Sequence, residues 1–189
     1  FSIIFPLLIL LAIAFIVWLS LQFFFIPLSS NKSSLIFTIP KGATVTQIAA
    51  ELQVKGINRN TYYFLLLAKW WGKLDYIKAG EYQIAPNATL QQLIEKLAKG
   101  QVLLHKITFP EGWTFQQFVT KLTSEPRLSH TLKNLNSESI MAIIGHSGEY
   151  PEGLFYPDTY FFTLATKDAQ ILRLSYRLMQ KKLQQTWIT

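Results

Sequence analysis

The chain contains no cysteine, which excludes disulfide bonds, thiolate metal sites and a cysteine nucleophile. Its three histidines, His105, His130 and His146, are scattered and lack the spacing that metal ligands need. The sequence also lacks a glycine-rich phosphate loop, a zinc motif and a Ser-His-Asp order of catalytic residues. We therefore expect neither a metal nor a cofactor.

Charge is absent from the first part of the chain, where no charged residue precedes Lys32. Residues 2–28 are dominated by Phe, Leu and Ile, and as a helix they would be roughly 40 Å long at about 1.5 Å per residue. A bilayer core is about 30 Å thick, so we predict one transmembrane anchor over residues 1–28. The alternative is a cleaved signal peptide, but the apolar run is long for one and Ser29-Ser30-Asn31 is a weak cleavage site.

All 18 Lys and Arg residues follow this apolar run, against 11 Asp and Glu, and the net charge is +7. Such an excess favours anionic partners, which include lipid headgroups, nucleic acid and an anionic cell-wall glycan. No block of Lys and Arg stands out, so an ordinary solvated surface is favoured over a nucleic-acid site. A nucleic-acid binder would show a steep salt dependence of binding, and we expect no nucleic-acid partner.

A strand, a turn and a capped helix follow one another three times after a polar linker at residues 29–34. The helix starts are marked by Thr-x-x-Gln pairs at the spacing of a capping box, namely Thr44/Gln47, Thr89/Gln92 and Thr114/Gln117. The preceding strands are predicted at residues 34–39, 81–84 and 102–109. With a further helix at 58–74, the first part of this region forms a strand–helix–helix–strand unit over about residues 34–84.

Aromatic and aliphatic residues crowd the helix predicted at 58–74. They could line a sugar-stacking surface, but packing into a core is favoured for this set: Tyr62, Tyr63, Phe64, Leu66, Leu67, Trp70 and Trp71. Two more helices are predicted at residues 129–144 and 168–187, separated by a break at Gly145 and an aromatic loop. The last helix is amphipathic, and because nothing remains for its apolar face to pack on, we expect the sequence to be a fragment of a longer protein.

The densest candidate for chemistry is the segment 149–162, in which Glu152 precedes Gly153 among several aromatic residues. Apolar surroundings disfavour an ionised carboxylate, so Glu152 is a candidate general acid that delivers a proton to a leaving oxygen. Asp158 is a second carboxylate nearby, and ordinary glycosidases use two carboxylates at a set separation. The alternative is that the segment 149–162 is a surface loop rich in proline and aromatic residues, in which Glu152 is solvated. Residue spacing alone favours this alternative.

The segment Glu152-Gly-Leu-Phe-Tyr-Pro-Asp-Thr-Tyr160 closely resembles the signature of the MltG (YceG-like) endolytic murein transglycosylase family. Three other pieces follow in the family's order, namely Ile39-Pro40-x-Gly42-x-Thr44, Gly80-Glu-Tyr82 and Pro110-Glu-Gly-Trp-Thr114. The resemblance implies an α+β protein with an N-terminal transmembrane helix, a LysM-like α/β subdomain over residues 35–108, and the start of a mixed α/β catalytic domain over 109–189. The family's catalytic domain continues past the point where this sequence ends.

The activity that the resemblance implies is that of a membrane-anchored lytic transglycosylase. It would cleave the MurNAc–GlcNAc bond of nascent peptidoglycan and leave 1,6-anhydro-MurNAc ends. Glu152 would be the single catalytic acid/base, and the substrate-binding residues would be Phe155, Tyr156, Asp158 and Tyr160. Asp158 would be a structural or an orienting group and not a nucleophile. Glu111, which also stands in a Pro-Glu-Gly sequence, is expected to have a structural role at a helix N-terminus.

The resemblance also implies partners and a location. The partners are peptidoglycan glycan strands, the membrane through one N-terminal helix, and peptidoglycan synthases. The protein would be a single-pass protein of the bacterial inner membrane whose domain faces the periplasm or the cell exterior. The alternative function is a non-catalytic LysM-like glycan-binding or scaffold module of the cell-wall synthesis machinery.

Overall fold

The computed structural model describes residues 4–25, 34–57, 61–70 and 77–187. These residues form seven helices and four short strands, so the α+β class is confirmed. In chain order the elements are α1 (Ile4–Phe25), β1 (Leu35–Ile39), α2 (Val45–Val54), α3 (Thr61–Trp70), β2 (Gly80–Ile84), α4 (Leu90–Ala98), β3 (His105–Thr108), α5 (Phe115–Ser124), α6 (Ser137–Ile144), β4 (Thr159–Phe162) and α7 (Asp168–Trp187). The chain divides into two compact units, Phe1–Val102 and Leu103–Thr189.

The N-terminal helix α1 covers much of the segment for which a transmembrane anchor is predicted. Within the part of the chain that the structure describes, no helix combines the length and apolarity needed to cross a membrane, so a transmembrane helix is not shown. The predicted linker at 29–34 lies outside the described residues except for Ser34.

The first unit has the predicted strand–helix–helix–strand order, because β1 pairs antiparallel with β2 and both α2 and α3 lie between them in the chain. Phe37 on β1 stands opposite Tyr82 on β2, and their rings stack with centroids 5.7 Å apart in the core of this unit. In α3, Phe64 is buried as predicted, whereas Leu66 is half exposed. Trp71 and the side chains of four other residues of the predicted aromatic set lie outside the described residues, namely Tyr62, Tyr63, Leu67 and Trp70.

All three predicted capping boxes are present, at the starts of α2, α4 and α5. In each, the threonine N–H donates to the glutamine Oε1, and the glutamine N–H donates to the threonine Oγ1 over 3.3 Å. Two backbone donors that a helix start would otherwise leave free are thus satisfied. The three boxes fix where these helices begin.

The second unit repeats the order of the first, with β3 and β4 paired antiparallel, α5 and α6 between them, and α7 last. The strand predicted at 102–109 is β3, and it lies in the second unit because its partner is β4. One core of buried aromatic and aliphatic side chains joins these elements.

The helix predicted at 129–144 begins only at Ser137, with Asn136 as its N-cap. The preceding residues are held in another conformation, because the N–H of Ser129 donates to the carbonyl of Thr166 and the N–H of Asp168 donates to the carbonyl of Ser129. The buried Asp168 carboxylate also accepts the backbone N–H groups of Thr131 and Leu132. These contacts explain why the helix prediction was wrong at its start.

Candidate functional site

The Glu152 motif begins in a tight turn beside the N-terminus of α5. The N–H of Leu154 donates to the carbonyl of Pro151 over 3.4 Å, and Gly153 takes a φ of +79°. Residues with a Cβ rarely adopt that φ, so glycine is needed after Glu152. The motif then continues through Phe155 and Tyr156 into β4.

Glu152 is exposed, and its Oε2 accepts the backbone N–H of Phe115, the first residue of α5, over 3.0 Å. The Glu152 carboxylate is thus solvated rather than enclosed by apolar side chains, in agreement with the surface loop that spacing alone favours. The reason is that the neighbouring aromatic rings turn into the core and leave Glu152 at the surface. Glu152 thereby satisfies one of the backbone N–H groups that the start of α5 leaves without a partner inside the helix.

Phe155 and Tyr160 are core residues in this structure, since they are 6% and 4% exposed. The Phe155 ring stacks on Phe115 with centroids 5.2 Å apart and meets Tyr176 edge-on at 6.0 Å. The Tyr160 hydroxyl donates to the carbonyl of Tyr156 over 2.7 Å, and burial raises the pKa of Tyr160. Both rings hold the motif in place, and neither offers a face on which a sugar could stack.

Tyr156 and Asp158 occupy the bend between the turn and β4. The Tyr156 backbone is fixed to α7, because its N–H donates to the carbonyl of Ser175 and its carbonyl accepts the Ser175 hydroxyl. The exposed Asp158 carboxylate accepts the N–H of Thr159, and the Asp158 carbonyl accepts the N–H of Phe109. Asp158 thus shapes the entry into the strand.

A cleft of about 460 Å³ lies at the start of the motif. Its lining residues come from α5, α6 and the segment between α6 and β4, namely Phe115, Gln116, Ser137, Glu138, Gly148, Glu149, Tyr150, Pro151 and Glu152. Neither Asp158 nor any of the predicted aromatic substrate contacts is among them. The cleft instead carries Tyr150, which is 79% exposed.

Two side chains hold the carboxylate of Glu149, which lines the cleft. Its Oε2 accepts the hydroxyl of Tyr176 over 2.7 Å, and its Oε1 lies 3.1 Å from Nδ1 of His146. The His146 and Tyr176 rings stack with centroids 3.7 Å apart. The Tyr176 hydrogen bond, followed by His146, lowers the pKa of Glu149, while burial and then Glu149 raise the pKa of Tyr176 to about 12.

Glu149 and Tyr150 lie within the candidate segment 149–162, but the sequence assigned a role to neither of them, nor to Tyr176. The feature of the sequence that could have pointed to Glu149 is its spacing, since it follows His146 by three residues and precedes Glu152 by three. Tyr176 is far away in the chain, and only the packing of α7 brings it to Glu149.

The other predicted residues lie where an ordinary structural role is sufficient. Glu111 is exposed in the turn before α5. His130 lies 3.9 Å from the Asp168 carboxylate and the His105 ring packs on Phe162. Among the described residues, no group of three or more His, Cys, Asp and Glu side chains is placed to hold a metal ion.

Comparison with known proteins gives one family. The model of the YceG-like family matches residues 37–189. A crystal structure of a yceG-like protein from Listeria monocytogenes is similar at 23% identity and a TM-score of 0.42, over 82% of this chain and 56% of that one. The present chain thus spans little more than half the length of that protein. No curated protein matches.

Proposed function

This chain belongs to the YceG-like family, and on that premise we propose that the protein acts as a lytic transglycosylase on peptidoglycan. Its substrate would be the MurNAc–GlcNAc bond within nascent glycan strands. The observation that carries the proposal is the position of Glu152, which is exposed in a cleft of about 460 Å³ at the start of the family-like motif.

In the proposed reaction Glu152 first acts as an acid and then as a base. It donates its proton to the glycosidic oxygen, and the bond from that oxygen to C1 of MurNAc breaks with its electron pair going to the oxygen. GlcNAc then leaves with a free 4-hydroxyl. The 6-hydroxyl oxygen of the same MurNAc bonds to C1 and returns its proton to Glu152, so a 1,6-anhydro ring forms and no water is consumed.

The support for Glu152 rather than Asp158 is geometric. Glu152 lines the cleft, while Asp158 lies outside the set of lining residues and accepts the N–H of Thr159. The reaction needs no second carboxylate to activate water. Phe155 and Tyr160 would serve by holding the motif rigid from the core, where both side chains are buried.

The test is a digestion of purified peptidoglycan by the 189-residue chain, with the products identified by mass spectrometry. Internal cleavage that yields anhydro-MurNAc ends is the expected result. Hydrated reducing ends would overturn the transglycosylase mechanism and indicate a hydrolase. Binding without cleavage would favour the second candidate, a LysM-like glycan-binding or scaffold module.

Tyr150 is the aromatic residue best placed to stack on a sugar ring, because it lines the cleft and is 79% exposed. We expect Tyr150→Ala to raise KM for glycan strands by about 10-fold, the size of roughly 1.4 kcal/mol of lost stacking, and Tyr150→Trp to retain binding. Phe161→Ala is the matched control, since Phe161 is 63% exposed and is not a lining residue. Equal effects of Tyr150→Ala and Phe161→Ala would refute a sugar-stacking role.

We further propose the location that the sequence predicts, at the bacterial inner membrane with the second unit outside the cytoplasm and near peptidoglycan synthases. The support comes from the sequence, in which no charged residue precedes Lys32. Membrane fractionation with alkaline carbonate washing tests it. Release of the protein by the wash would overturn integral membrane attachment.

A further inference from the structure

We propose that Glu149 is a second functional carboxylate of the cleft, oriented by Tyr176 and His146, which stabilises positive charge on the sugar while Glu152 transfers the proton. This inference rests on the proposed function and adds a residue to it. Glu149 stands three residues before Glu152, and both side chains line the same cleft.

The Glu149 carboxylate is held from two elements at once. The Tyr176 hydroxyl reaches Oε2 from α7 over 2.7 Å, and Nδ1 of His146, just after α6, lies 3.1 Å from Oε1. Tyr176 is itself fixed, since it is only 7% exposed and its ring contacts both His146 and Phe155. These two partners hold the carboxylate in one orientation, as a group that must face a substrate requires.

Glu149 remains accessible to a ligand despite these partners, because its side chain is 43% exposed. The Tyr176 hydrogen bond, followed by His146, lowers its pKa, so its charge persists to lower pH than that of an ordinary glutamate. The ionisable groups that face it or share the cleft are His146, Tyr176, Glu138, Tyr150 and Glu152. Arg173, one turn before Tyr176 on α7, is directed to the carbonyls of Ile143 and Ile144.

A fixed negative charge suits the chemistry of this reaction. Breaking the bond to C1 of MurNAc leaves positive charge shared between C1 and the ring oxygen. Glu149 would form no covalent bond and move no proton, and would lower the energy of that charge through electrostatic attraction. Glu152, which lines the same cleft, is the carboxylate that transfers the proton in the proposed reaction.

The first test compares Glu149→Gln with the unaltered chain and with Glu111→Gln, an exposed glutamate outside the cleft. We expect Glu149→Gln to lower kcat by about 10²-fold with KM changed less than about 3-fold, and Glu111→Gln to change neither. Thermal unfolding of each variant separates a catalytic loss from misfolding. An unaltered chain that does not cleave would count against the proposed function itself, whereas normal cleavage by Glu149→Gln overturns only the role of Glu149.

The second test uses Tyr176→Phe, which keeps the ring between His146 and Phe155 and removes only the hydroxyl. Without that hydrogen bond the pKa of Glu149 rises, so Glu149 is neutralised at a higher pH. We therefore expect the acidic limb of the kcat/KM profile to move to higher pH, while the rate above that limb falls only slightly. A uniform loss of rate at all pH values would mean that Tyr176 is merely structural and would overturn its positioning role.

Discussion

Replacing Glu152 with glutamine is expected to lower the rate of glycan cleavage by about 10²–10⁴-fold, the usual contribution of a general acid–base residue. Glutamine has nearly the same shape, and its amide oxygen can still accept the N–H of Phe115 that Glu152 now accepts. The turn and the cleft should therefore survive, and only the exchangeable proton is lost. Binding of glycan strands should change little, so the effect should fall on kcat rather than on KM.

The matched control for this prediction is Glu111→Gln. Glu111 and Glu152 both stand between a proline and a glycine, and both are exposed, but only Glu152 lines the cleft. Mass spectrometry of digested peptidoglycan should give anhydro-ended products from Glu111→Gln at the unaltered rate. Cleavage by Glu152→Gln within a few-fold of the unaltered chain would remove Glu152 from the mechanism as its acid.

Sequence analysis was most successful where the determining contacts are local. A capping box involves residues only three positions apart, so the helix starts at Thr44, Thr89 and Thr114 could be predicted and are confirmed. The strand–helix–helix–strand order of the first unit followed from the same local patterns and is also confirmed. The family resemblance, carried by the motif from Glu152 to Tyr160, is confirmed by the match over residues 37–189.

Sequence analysis failed where long-range packing decides which way a side chain faces. Phe155, Tyr160 and Tyr150 are all aromatic residues within or beside one motif, and nothing in their spacing indicates that the first two are buried and the third is exposed. Because Phe155 and Tyr160 turn into the core of the second unit, they do not enclose Glu152. The exposure of Glu152 and the firm anchoring of the motif therefore have the same cause.

The contacts of two carboxylates outside the motif could not be predicted from the sequence either. Glu149 meets Tyr176 across 27 positions of sequence, and Asp168 meets Thr131 across 37. Both contacts depend on how α7 packs on the rest of the second unit, and no local pattern predicts them. Asp168 is fully buried, yet in sequence it is only the acidic residue with which the last helix begins.

Replacing Asp168 with alanine is expected to lower the free energy of unfolding of the second unit by about 2–5 kcal/mol, because it leaves buried backbone donors without an acceptor. Its carboxylate accepts the N–H of Thr131 over 2.9 Å and that of Leu132 over 3.1 Å, and Leu132 is 1% exposed. The Thr131 hydroxyl donates to the same carboxylate. Without it, the segment at 129–132 loses the side-chain part of its attachment to the start of α7, and only the backbone hydrogen bonds of Ser129 with Thr166 and Asp168 described above still join the two segments.

The loss of unfolding free energy is measured by urea unfolding, with hydrogen exchange at the amides of β3, β4 and α7 as the probe of the second unit. Asp168→Asn keeps the shape and one acceptor oxygen, so we expect it to be destabilised less than Asp168→Ala. Asp158→Ala is the matched control, because that exposed carboxylate accepts only the adjacent N–H of Thr159, and its removal should cost less than about 1 kcal/mol. Equal losses in Asp168→Ala and Asp158→Ala would mean that burial and the hydrogen bonds of Asp168 do not hold the two segments together.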